Sequence, residues 1–422
     1  MTTPKSPQRV QPDWPSAQVD SARLWARLGE LAKIGGTPGG GVDRPALSGL
    51  EVAARERVTV WASEFGAGAH TDPAGNLLLR LDGADPSLPA VMCGSYLDSQ
   101  PSGGRYSGAY GMLAALEALS AISRLGRPAR RTLVAVCWMN GEGSRFAPGY
   151  MGSEAFAGLR QLGDLLPVED AAGRSMGSEL AALLAKPSTP PAIPLGFSAT
   201  AYVETHLEQG PVLEFKAKQI GIVTGVQGVR RFHIKVIGEA GHVGTTLRRH
   251  RKDALHATVK IVAALDQFFA APDVGFTVSQ LRVEPNAPSI VPMETNFTVD
   301  VRHHDNTVLT RLGNTIRLIC ESEKGRCAYQ MREIVSTPAI LFAPLVPKAI
   351  ERAAARIGLS HMPLLSLGGH DAQSLHHHCP SGIIFIPCKG GISHSPAEQI
   401  EPAQAEAGAK VLADVLWELA NA

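Results

Sequence analysis

The stretch from Cys93 to Leu116, CGSYLDSQPSGGRYSGAYGMLAAL, constrains the fold more than any other part of the chain. The apolar run Leu88 to Cys93 has the length of a buried strand. It opens into a loop carrying Gly94, Gly103, Gly104, Gly108 and Gly111, after which helical spacing runs from Ala109 to Leu125. Strand, glycine loop and helix in that order form the usual ligand edge of an α/β sheet, because glycines let the backbone take positive φ and approach a bound group. An ordinary turn-rich connection has the same glycine content, so the loop alone does not name a chemistry.

The remaining texture extends this unit into a larger α/β sheet. Helices are expected over Ser16 to Leu31 and Ala46 to Phe65, the second capped by Ser48. Strands are expected over Asn76 to Leu81, Arg131 to Met139 and Ala201 to Glu208, with Pro187 to Pro194 a surface connection. From about Gly221 the pattern changes: strands at Gly221 to Val229, Arg231 to Ile237, Val274 to Val283 and Asn296 to Arg302 accompany helices at Asp253 to Phe269 and Thr307 to Glu323. Two helices on a mostly antiparallel sheet make a compact inserted α+β domain. After roughly Glu333 the earlier style returns, with a helix at Val346 to Ile357, a strand at Ile383 to Pro387 and a closing helix at Pro402 to Leu419. A chain of 422 residues, 44% hydrophobic and 19% charged, buries enough for two domains. The reading is therefore a discontinuous α/β domain over residues 1–215 and 331–422, interrupted by a domain at 216–330.

Charge and cysteine usage narrow the setting. A formal net charge of +1 excludes nucleic acid or an anionic membrane recognised by bulk charge, and the local run Arg248, Arg249, Arg251, Lys252 reads as a solvated helix start. The six cysteines, Cys93, Cys137, Cys320, Cys327, Cys379 and Cys388, show no paired short spacing and suit reduced thiols in the cytoplasm. The N-terminal stretch is polar and proline-bearing with no apolar signal region, and no apolar run reaches membrane-spanning length.

Five short stretches at element ends are candidates for chemistry: Tyr96-Leu97-Asp98 with the loop to Ser107, Asn140 to Phe146, Glu204 to Gly210, Gly241 to Thr246, and Gly390 to Pro396. Glu142, His206 and His394 have the residue types and strand-end placement of zinc-type ligands; polar residues satisfying turns are the plainer reading of each. His376-His377-His378 reads as a polar helix end.

The blocks GSYLDSQPSGGRYSGAYG, GEGSRFAPGYMGS, ETHLEQGPVLE, GEAGHVGTTLRRHRKDAL, GGHDA and GGISHSPAE resemble those of the N-carbamoyl-L-amino-acid hydrolase and allantoate amidohydrolase group, within the dinuclear-zinc peptidase and amidohydrolase family. The resemblance spans about Gly35 to Pro402. It implies a zinc-peptidase-like catalytic domain, with a central mixed sheet flanked by helices, and an inserted lid domain that also dimerises. The family reaction is hydrolysis of linear C–N amide bonds in N-carbamoyl amino acids or ureido acids.

Carried over residue by residue, the resemblance implies a degraded metal site. Tyr96 stands where the family has a histidine ligand, with Asp98 behind it; Ser107 stands at the aspartate that bridges two metals; Gly141 stands at the glutamate general base. Glu142, His206 and His394 match ligands, leaving one protein ligand on the first metal and two on the second. Zinc sites normally keep three or four protein ligands, and paired cations need a bridging anion, which a neutral phenol and a serine do not supply. At most one weakly held zinc or other divalent ion is expected. Gln209, His242 and Arg302 match substrate-holding positions, the arginine gripping a carboxylate, and Ser289 replaces an asparagine there. His370 and Asp371 match a block near the site without being ligands. The expected protein is thus a family member inactive or strongly altered in catalysis, binding a small carboxylate and dimerising with itself. The alternatives are a non-catalytic carboxylate binder or partner subunit, a mononuclear-metal hydrolase, and a hydrolase dependent on Ser107.

Overall fold

The computed structural model describes residues 14–422, so most of the polar N-terminal stretch lies outside the described residues. The chain divides into two compact units, one taking in the chain up to Thr224 and Phe342–Ala422, the other Gly225–Leu341. The larger unit carries strands β1 (Gly68–Thr71), β2 (Leu77–Leu81), β3 (Ala90–Tyr96), β4 (Leu133–Trp138), β5 (Ala199–Leu207), β6 (Ile220–Val226), β7 (His361–Ser366) and β8 (Ser381–Ile386). They run side by side as β1-β2-β4-β3-β5-β8-β6, with β7 also on β6. The centre, β4-β3-β5-β8, is parallel, while β2 joins β4 and β6 joins β8 antiparallel, so the sheet is mixed and flanked by helices.

Why the centre is parallel follows from the sequence of β3 and β4. Every residue of AVMCGSY and LVAVCW is buried, as strands covered on both faces must be. One cover is the helix Ala109–Ser123, buried from Ala109 to Ile122 and packed on the C-terminal helix Pro402–Asn421. Its only acid, Glu117, receives Arg23 Nε at 3.0 Å and Nη2 at 2.7 Å, which keeps a buried carboxylate paired. Because all four central strands point the same way, Tyr96, Trp138, Leu207 and Ile386 end at one edge, and the loops that leave there carry the candidate residues.

The smaller unit is a four-stranded antiparallel sheet in the order Ala328–Thr337, Gly228–Ile237, Glu294–His303, Gly275–Glu284, with helices Ala254–Phe268 and Asn306–Glu323. Strand alternation sends Phe232, Ile234, Val236, Phe297, Val299 and Val301 into a core of its own with the helices, and places Arg231, Asp300 and Arg302 on the opposite face. Its ends are adjacent: Val226 pairs with Ile340 and Gly225 with Leu341.

Two expectations are corrected. The segment read as one strand over Gly221 to Val229 is divided between β6 of the larger sheet, which ends at Val226, and the start of Gly228–Ile237 in the smaller one, whose fourth strand is Ala328–Thr337. The latter was missed because it is an edge strand, partly exposed along its length and carrying Gln330, Arg332 and Glu333, so it lacks apolar alternation. For the same reason the exchange between units falls after Thr224 and after Leu341, downstream of the 215/216 and 330/331 boundaries read from composition. No helix among the described residues is long and apolar enough to cross a membrane.

Candidate functional site

β3 ends on Tyr96, and its phenol is the hub of the site in the larger unit. The hydroxyl donates to Glu142 Oε1 at 3.0 Å and lies 3.3 Å from His206 Nε2. His206 Nδ1 lies 2.9 Å from the Leu207 carbonyl, which fixes the proton on Nδ1 and leaves Nε2 facing the phenol as an acceptor. Burial lowers the pKa of His206, and burial, with Glu142 beside it, pushes Tyr96 well above the usual phenol range. Burial also raises Glu142, offset by His394 and by hydrogen bonds from Gln100 Nε2, at 2.7 Å, and from Tyr96. The phenol thus stays neutral, its single proton given to Glu142 while its oxygen lies against His206 Nε2.

The ring fits because its two neighbours have no side chain. A Cβ built on Gly141 would lie 2.4 Å from Tyr96 Cγ, and one on Gly108, whose φ is +66°, would lie 2.3 Å from Tyr96 Cε2. Gly141 at the position expected to hold a general base is therefore also the space that the Tyr96 ring takes. Asp98 accepts the backbone N–H groups of Gly141 at 3.0 Å and Glu142 at 3.1 Å, so it fixes this loop rather than an imidazole.

Ser107 meets a carboxylate that the sequence did not single out. Its Oγ donates to Glu398 Oε2 at 2.5 Å, and its N–H and that of Tyr106 donate to Oε1 at 2.9 and 3.0 Å. Ser393 Oγ adds a bond to Oε2 at 2.8 Å and accepts Gln209 Nε2 at 2.8 Å. Glu398 is buried against Gly104, where a Cβ would lie 2.1 Å from Oε1. Glu398 stands in the quoted GGISHSPAE block, yet nothing in its spacing predicts four hydrogen bonds to the Ser107 loop and Ser393.

The residues matched to metal ligands do not assemble a cation site. His394, half exposed and at φ +53°, places Nε2 3.9 Å from Glu142 Oε2, and the phenol stands between Glu142 and His206. Among the described residues no three His, Cys, Asp or Glu side chains converge as metal coordination requires. Behind His206, the His370 ring stacks edge-on at 4.6 Å, and His370 Nε2 lies 2.9 Å from Ser366 Oγ. His378 of the histidine run lies with Nε2 3.0 Å from the Phe197 carbonyl, a structural contact.

In the smaller unit His242 and Ser289 come together. His242 pairs with Ile290 across a two-stranded ribbon, and the Ser289 carbonyl, from a residue at φ +64°, accepts Val243 N–H at 3.1 Å. Arg302 Nε donates to Asp300 Oδ1 at 2.8 Å, while Arg231 holds Asp300 Oδ2 at 2.6 and 2.9 Å. The three line a cavity of about 460 Å³ on the open face of the sheet, with the Asp300 carboxylate held by both guanidinium groups.

Asp371 is one of several buried acids of the larger unit whose pKa burial raises, with Asp72, Asp98 and Glu204. Asp371, whose Oδ1 accepts Ser153 Oγ at 2.5 Å, is pushed up to about 7, chiefly by burial. A carboxyl group whose folded-state pKa exceeds its unfolded one costs nothing while protonated in both states; the cost grows as pH rises past the unfolded pKa and is complete above the folded one. Thermal unfolding is expected at a higher midpoint near pH ~6 than near pH ~8, with Asp371→Asn reducing the difference. Equal slopes in both proteins would refute this assignment.

Residues 97–418 match Peptidase family M20/M25/M40. An N-carbamoyl-L-amino-acid amidohydrolase of Rhizobium meliloti is 34% identical over 96% of this chain and 97% of its own length. An allantoate amidohydrolase of Bacillus subtilis is 33% identical over 92% of this chain and 95% of its own. The crystal structure of a hydantoinase/carbamoylase family amidase from Burkholderia multivorans, 36% identical, superposes with a TM-score of 0.87 over 96% of this chain and 98% of that one. With the family match covering most of its length and relatives a third identical along nearly all of it, the chain belongs to peptidase family M20/M25/M40.

Proposed function

We propose that this protein is a hydantoinase/carbamoylase-type amidohydrolase scaffold that binds a small carboxylate, an N-carbamoyl amino acid or ureido acid, and has lost dinuclear metal hydrolysis. One observation carries the reading: the Tyr96 phenol, seated between Gly108 and Gly141, is bonded to Glu142 and 3.3 Å from His206. One residue that matches a zinc ligand, Glu142, is thereby engaged by a neutral donor, and the phenol oxygen stands against a second, His206. No carboxylate stands at position 141 to accept a proton from water, which removes a contribution of roughly 10²- to 10⁴-fold. Within the smaller unit, Arg302 and Arg231, held by Asp300 beside the cavity of about 460 Å³, support retention of carboxylate binding. The relatives' names, carbamoylase and allantoate amidohydrolase, supply the ligand class. Six free, buried cysteines support a reducing compartment such as the cytoplasm, and the exposed edge strand Gly275–Glu284 supports self-association through the smaller unit.

The purified protein is expected to hold less than one tightly bound zinc per chain, to bind an N-carbamoyl-L-amino acid in calorimetry, and to leave it uncleaved. Two zincs per chain, or turnover that a chelator abolishes, would overturn the reading. A second reading rests on the short Ser107–Glu398 hydrogen bond, in which a carboxylate stands ready to take a proton from a serine nucleophile. Its mark is turnover indifferent to chelator and absent from Ser107→Ala.

A further inference from the structure

The smaller unit holds a second concentration of charge, away from Asp300 and Arg302. A cavity of about 380 Å³ is lined by Arg248, Arg251, His256, Lys260, Lys324 and Arg326, with Asp253 and Glu323 the acids among its lining residues. The volume lies within the range of small-molecule sites. Asp253 caps the helix Ala254–Phe268, accepting the His256 N–H at 2.9 Å, and Glu323 accepts the Ser322 hydroxyl at 3.3 Å, so neither acid is in an ion pair with Arg248, Arg251, Lys260 or Arg326. Lys324 is neutralised by Glu321.

The other cations lack acidic partners. Among the described residues no carboxylate pairs with Arg248, Arg251, Lys260 or Arg326, and the side chains of Arg248 and Lys260 take part in no hydrogen bond. Arg251 donates to the carbonyls of Thr246, at 2.9 Å, and Val243, and Arg326 donates Nη1 to the Arg249 carbonyl at 2.9 Å. Both guanidinium groups are thus held by neutral backbone oxygens, with their charge uncompensated. Four such cations face one hollow that offers two acids among its lining residues, and an anion of more than one charge entering it would relieve their mutual repulsion.

We propose that this cavity binds a small phosphate-bearing anion, its phosphoryl oxygens received by Arg248, Lys260 and Arg326. Guanidinium forks suit phosphoryl oxygens geometrically, and the lysine adds a point charge. The hollow is sized for one small molecule rather than for a groove-tracking polymer.

Calorimetry on the full chain at low salt tests this, with inorganic pyrophosphate and adenosine diphosphate as two probes. Saturable binding of pyrophosphate is expected, weakening as salt is raised. Pyrophosphate and the nucleotide binding alike would assign recognition to the phosphates alone, and a tighter nucleotide would assign a phosphorylated organic ligand. Arg248→Ala with Lys260→Ala should weaken either at least about tenfold, since two charged hydrogen bonds to the phosphoryl oxygens are removed together. Arg326→Ala is a separate check. Arg251 is left intact because it braces the loop that carries His242. Binding by neither probe in the millimolar range, or unchanged binding in variants that keep the parent's melting temperature, would overturn the proposal. So would capture of heparin in the absence of pyrophosphate binding.

Discussion

Gly141→Ala is expected to lose about 3 kcal/mol of stability, the upper end of what overpacking a filled interior costs, although it adds a single methyl group. The new Cβ would meet Cγ, Cδ1 and Cβ of Tyr96 at 2.4, 2.5 and 2.6 Å. Two of those contacts come from the ring. Tyr96→Ala, destabilising in its own right because it empties a buried aromatic site, removes them, so the double variant should be less destabilised than the sum of the singles, by about 1–2 kcal/mol. Denaturant unfolding of the four proteins measures this coupling. Strict additivity would mean that the ring and residue 141 do not compete for the same space, and the account of Tyr96 as the occupant of the base position would fall.

The larger chemical effect is expected from the triple change Tyr96→His, Ser107→Asp and Gly141→Glu. Ser107→Asp alone puts a second carboxylate where the serine hydroxyl now lies 2.5 Å from Glu398 Oε2. Two such charges repel by on the order of 4 kcal/mol at ~4 Å and an effective dielectric near 20. The single variant should therefore fold less stably above pH ~6 than in acid, where one carboxyl is protonated. In the triple variant the phenol is gone, Glu142 and His206 are released, and the carboxylates that repel one another become the reason to bind cations. Zinc content is expected to rise from below one towards two per chain. N-carbamoyl amino acid hydrolysis should then appear, with general-base help worth roughly 10²- to 10⁴-fold. A folded triple variant that takes up no metal would show that the residues orienting the ligands have drifted as well.

Much of this was legible before any coordinates. The strand Ala90–Tyr96, its glycine loop and the helix from Ala109 are where the sequence put them, because a fully apolar run and helical spacing are local signals. Ser48 caps its helix as expected, accepting the Glu51 N–H at 3.3 Å. The family blocks brought Tyr96, Ser107, Glu142 and His206 to one sheet edge. What stayed hidden depends on contacts between distant segments. Nothing in the string shows that the Tyr96 hydroxyl reaches across to Glu142, that Gly108 and Gly141 flank one ring, or that Glu398 accepts four hydrogen bonds. Gly141 read as a missing base; in the fold it is also room. The strand Ala328–Thr337 was hidden for the opposite reason, since its pairing is backbone to backbone and its side chains mostly face water.

The adjacency of the two ends of the Gly225–Leu341 insertion has a consequence for how the family can diversify. Because the insertion leaves and re-enters its host through neighbouring residues paired as Gly225 with Leu341 and Val226 with Ile340, the host needs to bridge only a short gap. Loop-closure entropy rises slowly with the length of what is inserted, so segments can be added to or trimmed from the insert at little thermodynamic expense to the host sheet. Whatever selects the ligand on the insert can thus change over generations at a pace independent of the scaffold beneath it.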